Sequence, residues 1–143
     1  PDRIVWDGRA RVPKAARVWS GADGARRYWL TASAGEAPPG VQRVVVPGDA
    51  DGHLQAAAVF GALAAHEVNE VLVEAGAHLA GALLQAKAVD ELLVYLAPRL
   101  LGDAARGLAH LPNLVALRDA PQFTFTEVTP VGADLRLHLH PEF

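Results

Sequence analysis

Residues 71–82 read VLVEAGAHLAGA, and this stretch decides the fold class. The apolar run Val71–Val73 predicts a short buried strand, because branched and aliphatic residues follow one another without a polar break. Glu74 ends that strand, and helical spacing then runs from Ala77 to Lys87. A buried strand that leads directly into a helix is typical of a βαβ unit in an α/β protein.

The segments on either side continue this alternation of strand and helix. The patterns predict strands over Gln42–Val46 and Glu91–Ala97, and between them a helix over His53–His66 that Asp51 caps. We therefore expect right-handed crossovers and a largely parallel sheet. Closer to the amino terminus, the sequence predicts strands over Arg3–Asp7, Ala16–Trp19 and Tyr28–Ala32, with a loop over Ser20–Gly24.

The last part of the chain has a different pattern. Side chains alternate along Gln122–Val128, where phenylalanine alternates with threonine, and along Asp134–His140, where leucine alternates with arginine and histidine. This alternation predicts an antiparallel hairpin with one solvated face. No internal repeat or linker divides the 143 residues, so we expect residues 1–143 to form a single domain. Because the chain begins at Pro1, without methionine, we expect a piece of a longer polypeptide.

Composition excludes several classes of protein. Hydrophobic residues make up 51% and charged residues 20%, as in globular proteins. The net charge of −3 argues against binding to nucleic acid or to an anionic membrane. The absence of cysteine excludes disulfides, thiolate nucleophiles and cysteine-bound zinc. A soluble, cytoplasmic protein is the expectation.

The turn after Val73 is the most informative candidate site. The first N–H groups of a helix have no partner within it, and the helix dipole favours an anion there. Ala75, Gly76 and Ala77 are small enough for a pyrophosphate to reach the backbone, and the carboxylate of Glu74 suits sugar hydroxyls. The alternative is an ordinary strand-to-helix turn whose small residues serve packing.

Other polar residues give weaker signals. His138 and His140 share one face of a strand, but no carboxylate partner is evident from the sequence, so we interpret them as solvated and predict no metal site. The arginine pairs Arg9 with Arg11 and Arg26 with Arg27 are either solvated surface or phosphate ligands. No catalytic side chain is assigned.

Three motifs support a family resemblance. They are EAGAHLA at 74–80, VDEL at 89–92 and APRLLG at 97–102. Together they closely resemble the C-terminal reductase domain of the bacterial bifunctional riboflavin-biosynthesis deaminase–reductase. The resemblance runs from about residue 3 to residue 140. It implies a dihydrofolate-reductase-like α/β/α fold with a mixed, mostly parallel central sheet and a C-terminal antiparallel hairpin, from which the N-terminal part of the domain is missing.

The resemblance also implies a reaction and its site. NADPH would reduce 5-amino-6-(5-phosphoribosylamino)uracil, a small-molecule substrate, to its ribitylamino product. Glu74 would hold the ribose part of the substrate, and Gly8 would lie near the adenosine end of the cofactor. The remaining cofactor-binding residues would be Gly76, Ala77, His78, Leu79, Ala80, Gly81 and Ala82.

Two departures from the family pattern bear on this site. Gly8 stands where the family often has serine, and Ala75 stands where many relatives have a second glycine. The resemblance further implies a covalently linked deaminase domain in the parent chain and a homodimer. Two alternatives stay open: another dihydrofolate-reductase-like NADPH reductase, or a non-catalytic dimerisation fragment.

Overall fold

The computed structural model describes residues 1–21 and 24–143, which form two compact units, Pro1–Val71 and Leu72–Phe143. The loop predicted over Ser20–Gly24 therefore lies partly outside the described residues. The first unit holds the strands and helix β1 (Arg3–Trp6), β2 (Arg27–Thr31), β3 (Gln42–Val45) and α1 (Ala56–Ala64). The second unit holds α2 (Ala77–Gln85), β4 (Leu92–Leu96), β5 (Phe123–Val131) and β6 (Asp134–Pro141).

The sheet of the first unit is parallel, in the order β1-β2-β3. The central strand β2 is the most buried, with Leu30 and Thr31 fully enclosed, because it has a neighbour on each side. The predicted strands over Arg3–Asp7, Tyr28–Ala32 and Gln42–Val46 are confirmed within a residue or two.

The strand predicted over Ala16–Trp19 is wrong, because Arg17–Trp19 is a short 3₁₀ helix. The backbone N–H of Trp19 donates to the carbonyl of Ala16 at 3.0 Å, which closes a tight turn. The indole Nε1 of Trp19 donates to the carbonyl of Pro13 at 3.0 Å, and its ring packs on Trp29 with 5.4 Å between centroids. The aromatic side chain is thus buried by a turn and needs no strand.

Helix α1 packs on the parallel sheet through Val59 and Leu63, which join a core with Leu30, Val46 and Leu54. The predicted cap at Asp51 is wrong, because the N-cap position is occupied by Gln55. The side chain of Gln55 makes no capping hydrogen bond. The physical reason is an intervening loop held by Asp49. Its carboxylate accepts hydrogen bonds from the backbone N–H groups of Asp51 and His53 at 2.9 and 2.8 Å.

The sheet of the second unit is antiparallel, in the order β4-β6-β5. Strands β5 and β6 form the predicted hairpin through the two-residue loop Gly132-Ala133, in which Gly132 has a φ of +64°. A positive φ at the first loop position and not at the second is typical of a type II′ turn. A bulge between Phe125 and Glu127 interrupts the predicted alternation of side chains.

The strand predicted over Val71–Val73 is wrong, because these residues are not part of a strand and Leu72 is 79% exposed. An apolar run indicates a tendency to be buried, but it does not supply the neighbouring strands that a parallel ladder needs. The following helix begins at Ala77, as predicted. The mixed α/β class is confirmed, with parallel and antiparallel pairing in separate sheets. In the described residues, no helix is long and apolar enough to cross a membrane.

Candidate functional site

The amino terminus of α2 has the geometry of an anion site. Gly76 precedes the helix in an extended conformation, with φ −80° and ψ 170°, and no side chain caps it. The N–H of Ala80 donates to the carbonyl of Gly76 at 3.1 Å, which makes Ala80 the first residue with an intrahelical bond. The N–H groups of Ala77, His78 and Leu79 precede that bond and have no acceptor within the helix. Partial positive charge is therefore concentrated here.

The surface around this helix end is open. Glu74, Ala75, Gly76 and His78 are all exposed. Among the described residues, a Cβ added to Gly76 would meet nothing within 4 Å, so protein packing does not require glycine here. A glycine with open space, next to amides that have no acceptor within the helix, fits the close approach of a pyrophosphate.

Residue His110 packs against α2 near the amino terminus of the helix. The carbonyl oxygen of His110 lies 2.0 Å from the position of a Cβ on Gly81, and its N–H donates to the carbonyl of Ala77 at 2.8 Å. The imidazoles of His78 and His110 are in contact at a tilt of 39°, with 4.6 Å between ring centroids. Gly81 is therefore buried against backbone, whereas Ala82 is exposed. No periodicity or motif in the sequence indicates the contact with His110.

Gly8 lies at the carboxyl end of β1 in the first unit. The N–H of Asp7 donates to Leu30 at 3.0 Å, and the carbonyl of Gly8 accepts from Ala32 at 2.8 Å. Ligands of open α/β sheets bind at such carboxyl ends. A Cβ on Gly8 would lie 2.0 Å from the carbonyl oxygen of Gly52, so a close backbone approach requires glycine at this position.

One arginine of each pair, Arg9 and Arg26, is engaged with protein groups. Arg9 donates from Nε to the carbonyl of Asp51 at 2.5 Å. Arg26 donates to Asp2 at 2.7 Å and lies over the ring of Tyr28. The backbone N–H of Arg26, followed by its guanidinium, holds the pKa of Asp2 below its ordinary value of 3.8. These contacts favour the interpretation of Arg9 and Arg26 as surface structure.

The predicted site residues therefore fall in two places. Gly8 belongs to the first unit, while Glu74 and the residues from Gly76 to Ala82 belong to the second. Within the second unit a concavity of about 400 Å³ lies at the carboxyl end of α2, lined in part by Leu84, Lys87 and Phe143. It is separated from the predicted anion site by the length of a nine-residue helix, roughly 13 Å.

Comparison with known proteins decides the family. The model of the family described as "RibD C-terminal domain" matches residues 1–137. The chain belongs to the RibD C-terminal domain family. The resemblance seen in the three sequence motifs is thereby confirmed.

Individual relatives of this RibD C-terminal domain agree with the family match. The riboflavin biosynthesis protein RibD of Escherichia coli is 44% identical over 142 residues, which cover 97% of this chain and 38% of that protein. A 5-amino-6-(5-phosphoribosylamino)uracil reductase of Buchnera aphidicola is 38% identical over 76 residues, covering 53% of this chain and 37% of that protein. The structure of Acinetobacter baumannii RibD matches with a TM-score of 0.81 and 26% identity, over 99% of this chain and 38% of that one.

The chain corresponds to only part of each of these longer relatives. The chain spans 38% of the length of the Escherichia coli and Acinetobacter proteins that it matches. The similarity therefore shows the fold and the family of these 143 residues. Activity, substrate and partners of the longer proteins come to this chain as proposals.

Proposed function

We propose that this RibD C-terminal domain is part of an NADPH-dependent reductase that converts 5-amino-6-(5-phosphoribosylamino)uracil to its ribitylamino product. We also propose that residues 1–143 belong to one reductase domain. Membership of the family and the name of the Buchnera relative support the reaction class. The observation that carries the proposal for this chain is the open, glycine-capped amino terminus of α2.

The cofactor site proposed here is built mainly from backbone. The N–H groups of Ala77, His78 and Leu79 would donate to the pyrophosphate, and Gly76 would leave room for it. Ala80, Gly81 and Ala82 would continue the site along α2, with the exposed Ala82 better placed for contact than the buried Gly81. Gly8, at the carboxyl end of β1, would lie near the adenosine end.

Glu74 is the candidate residue for holding the substrate. Its carboxylate is exposed and lies two residues before the helix cap, so it can accept hydrogen bonds from ribose hydroxyls. When bound, NADPH supplies the hydride for the reduction. The protein's contribution is to bind and orient the two molecules and to exclude water.

Titration of the purified chain with NADPH, and in parallel with NADH, tests the cofactor site. Trp6, Trp19 and Trp29 serve as fluorescence donors to the nicotinamide. We expect saturable binding that prefers NADPH, and in Gly76→Val at least about tenfold weaker binding, equivalent to roughly 1.4 kcal/mol. The φ of Gly76 is open to any residue, so valine adds bulk without backbone strain. Gly61→Ala, at an exposed position of α1, is the control and should bind like the wild type.

Replacing Glu74 separates substrate from cofactor. In the longer protein, we expect Glu74→Gln to weaken substrate binding and turnover while NADPH affinity stays unchanged. Loss of NADPH binding instead would show that Glu74 has been given the wrong role. NADPH binding without turnover of the uracil substrate would favour another reductase of the same fold, and no cofactor binding at all would favour a non-catalytic fragment.

The partners are proposals of the same kind. We infer a homodimer, and in the parent chain a deaminase domain joined to this one. The exposed Phe125 and Leu135 on the antiparallel sheet support self-association, whereas Leu139 is buried within its own unit and is not available. Cytoplasmic location stays a prediction.

A further inference from the structure

The antiparallel sheet brings together three side chains that are far apart in sequence, Glu91, His138 and His140. The pairing of Leu92 with Leu139 places Glu91 directly opposite His140 and diagonal to His138. Side chains of directly opposed residues share one face of a sheet. One carboxylate oxygen and one ring nitrogen from each histidine lie within 4.8 Å of one another.

His138 is already in contact with each of the other two groups. Nε2 of His138 lies 2.9 Å from Oε2 of Glu91, and the rings of His138 and His140 are 5.3 Å apart at their centroids. The side chain of His138 is 25% exposed, so the pair is partly enclosed and still reachable from solvent. The same face carries Glu127 and Arg136, which pair with each other at 2.7 Å.

From this arrangement we propose a site for a divalent transition-metal ion, Zn²⁺, held by Glu91, His138 and His140. Imidazole nitrogen and carboxylate oxygen bind Zn²⁺ at about 2.0–2.2 Å, which in a tetrahedron sets the ligand atoms roughly 3.4 Å apart. That spacing falls between the 2.9 Å contact and the 4.8 Å limit observed here. A water molecule would complete the four ligands.

A second cluster, Asp49, Asp51 and His53, lacks these properties. All three residues are exposed. The carboxylate of Asp49 already accepts from two backbone N–H groups and contacts the ring of His53 at 3.2 Å. Its oxygens are used to hold the loop before α1, so this cluster carries no proposal and provides a control.

Titration of the tag-free, metal-stripped chain with Zn²⁺ alone tests the proposal, with calorimetry as the readout. We expect one ion per chain, and at least about tenfold weaker binding in each of His138→Gln, His140→Gln and Glu91→Gln. Glutamine keeps a polar group at each position, and circular dichroism checks that the variants fold. Co²⁺ in place of Zn²⁺ should give visible absorption bands of a four-coordinate nitrogen and oxygen site, which the three variants lose.

Two histidine variants outside the cluster serve as matched controls. His53→Gln removes the ring of the second cluster, and His110→Gln removes one ring of the pair at α2. Both should bind Zn²⁺ like the wild type. The proposal is overturned by the absence of stoichiometric binding, by binding that survives in His138→Gln and His140→Gln, or by binding that either control abolishes. None of these readouts depends on cofactor or substrate.

Discussion

At the scale of single residues, Gly61 and Gly81 occupy similar positions inside nine-residue helices but have opposite surroundings. A Cβ on Gly61 meets nothing within 4 Å among the described residues, whereas on Gly81 it lies 2.0 Å from the carbonyl oxygen of His110. The difference separates a glycine without a packing role from one that lets two stretches of backbone meet.

We expect alanine to have opposite effects at the two glycines. Gly61→Ala should stabilise the protein by roughly 0.5–1 kcal/mol, because alanine loses less backbone entropy in a helix. Gly81→Ala should destabilise it, since overpacking costs about 1–3 kcal/mol and exceeds that gain. Urea denaturation of both variants measures the two signs. Equal effects at the two positions would contradict the contact with His110.

The carboxylate of Asp7 is buried and organises the turn after β1. A single oxygen, Oδ2, accepts from the backbone N–H of Val12 at 2.7 Å and from the indole Nε1 of Trp29 at 3.2 Å. Only 7% of Asp7 is exposed, so both donors depend on this acceptor.

We therefore expect Asp7→Ala to destabilise the fold by about 2–3 kcal/mol, because it leaves two hydrogen-bond donors without their acceptor. Asp7→Asn should cost less, since its amide oxygen can take the position of Oδ2. Thermal unfolding followed by tryptophan emission measures both variants, with Trp29 as the reporter of its own lost bond. If asparagine and alanine were equally damaging, the negative charge would matter more than the acceptor.

At the scale of elements, Glu127 at the bulge links β5 to β6. Its carboxylate accepts from the hydroxyl of Thr129 and from the guanidinium of Arg136, the latter at 2.7 Å. These two groups, Thr129 first, hold the pKa of Glu127 below its ordinary value of 4.5. A lowered pKa in the folded state means that the contribution to stability is fully present above about pH 4.5 and is lost as the pH falls through the folded pKa.

Glu127→Gln should therefore make stability less dependent on pH below about pH 4.5. Near neutrality the pH dependence of stability should stay as in the wild type. Thr129→Val removes the larger cause and raises the folded-state pKa of Glu127 toward its ordinary value, so in that variant the acid loss of stability should be smaller and should be complete at a higher pH. Urea denaturation across the acid range, combined as a double-mutant cycle, measures the coupling of the two residues. Unchanged acid sensitivity in both variants would contradict the assignment.

The elements also show where sequence patterns are informative. The helix from Ala77 and the hairpin through Gly132 were predictable, because local periodicity and turn chemistry specify them. The run Val71–Val73 was not, because ladder partners come from elsewhere in the chain. Likewise the sequence does not reveal the contact of His138 with the carboxylate of Glu91. The two residues are 47 positions apart, and the register of β4 and β6 brings them together.

At the scale of the whole molecule, the sequence motifs identify the family, which the hydrophobic patterns alone do not. The combination around Glu74, Glu91 and Pro98 gave the family, which the match over residues 1–137 confirms. The roles assigned to Glu74 and Gly76 rest on that family and on an exposed helix end. The ring contact between His110 and His78 could not be foreseen, since nothing local links residues 32 positions apart.

Self-association is the last property that belongs to this scale. One face of the antiparallel sheet carries apolar side chains in paired rows, in which Leu96 stands opposite Leu135 and Val128 opposite Leu137. Near the hairpin turn no other part of the second unit fully covers this face, since Leu96 is 52% exposed and Leu135 is 37% exposed. Apolar surface of this kind is typical of a protein–protein interface.

If the proposed homodimer uses this face, the midpoint of thermal unfolding should rise with chain concentration, because association stabilises only the folded state. Light scattering after gel filtration should give twice the mass of the chain. Leu135→Glu should shift the mass to that of a monomer, since it places a charge among apolar contacts. Leu101→Glu, at a 79% exposed position outside the sheet, is the control and should remain dimeric. A wild-type monomer at all concentrations, or equal loss of association in the two variants, would rule this face out.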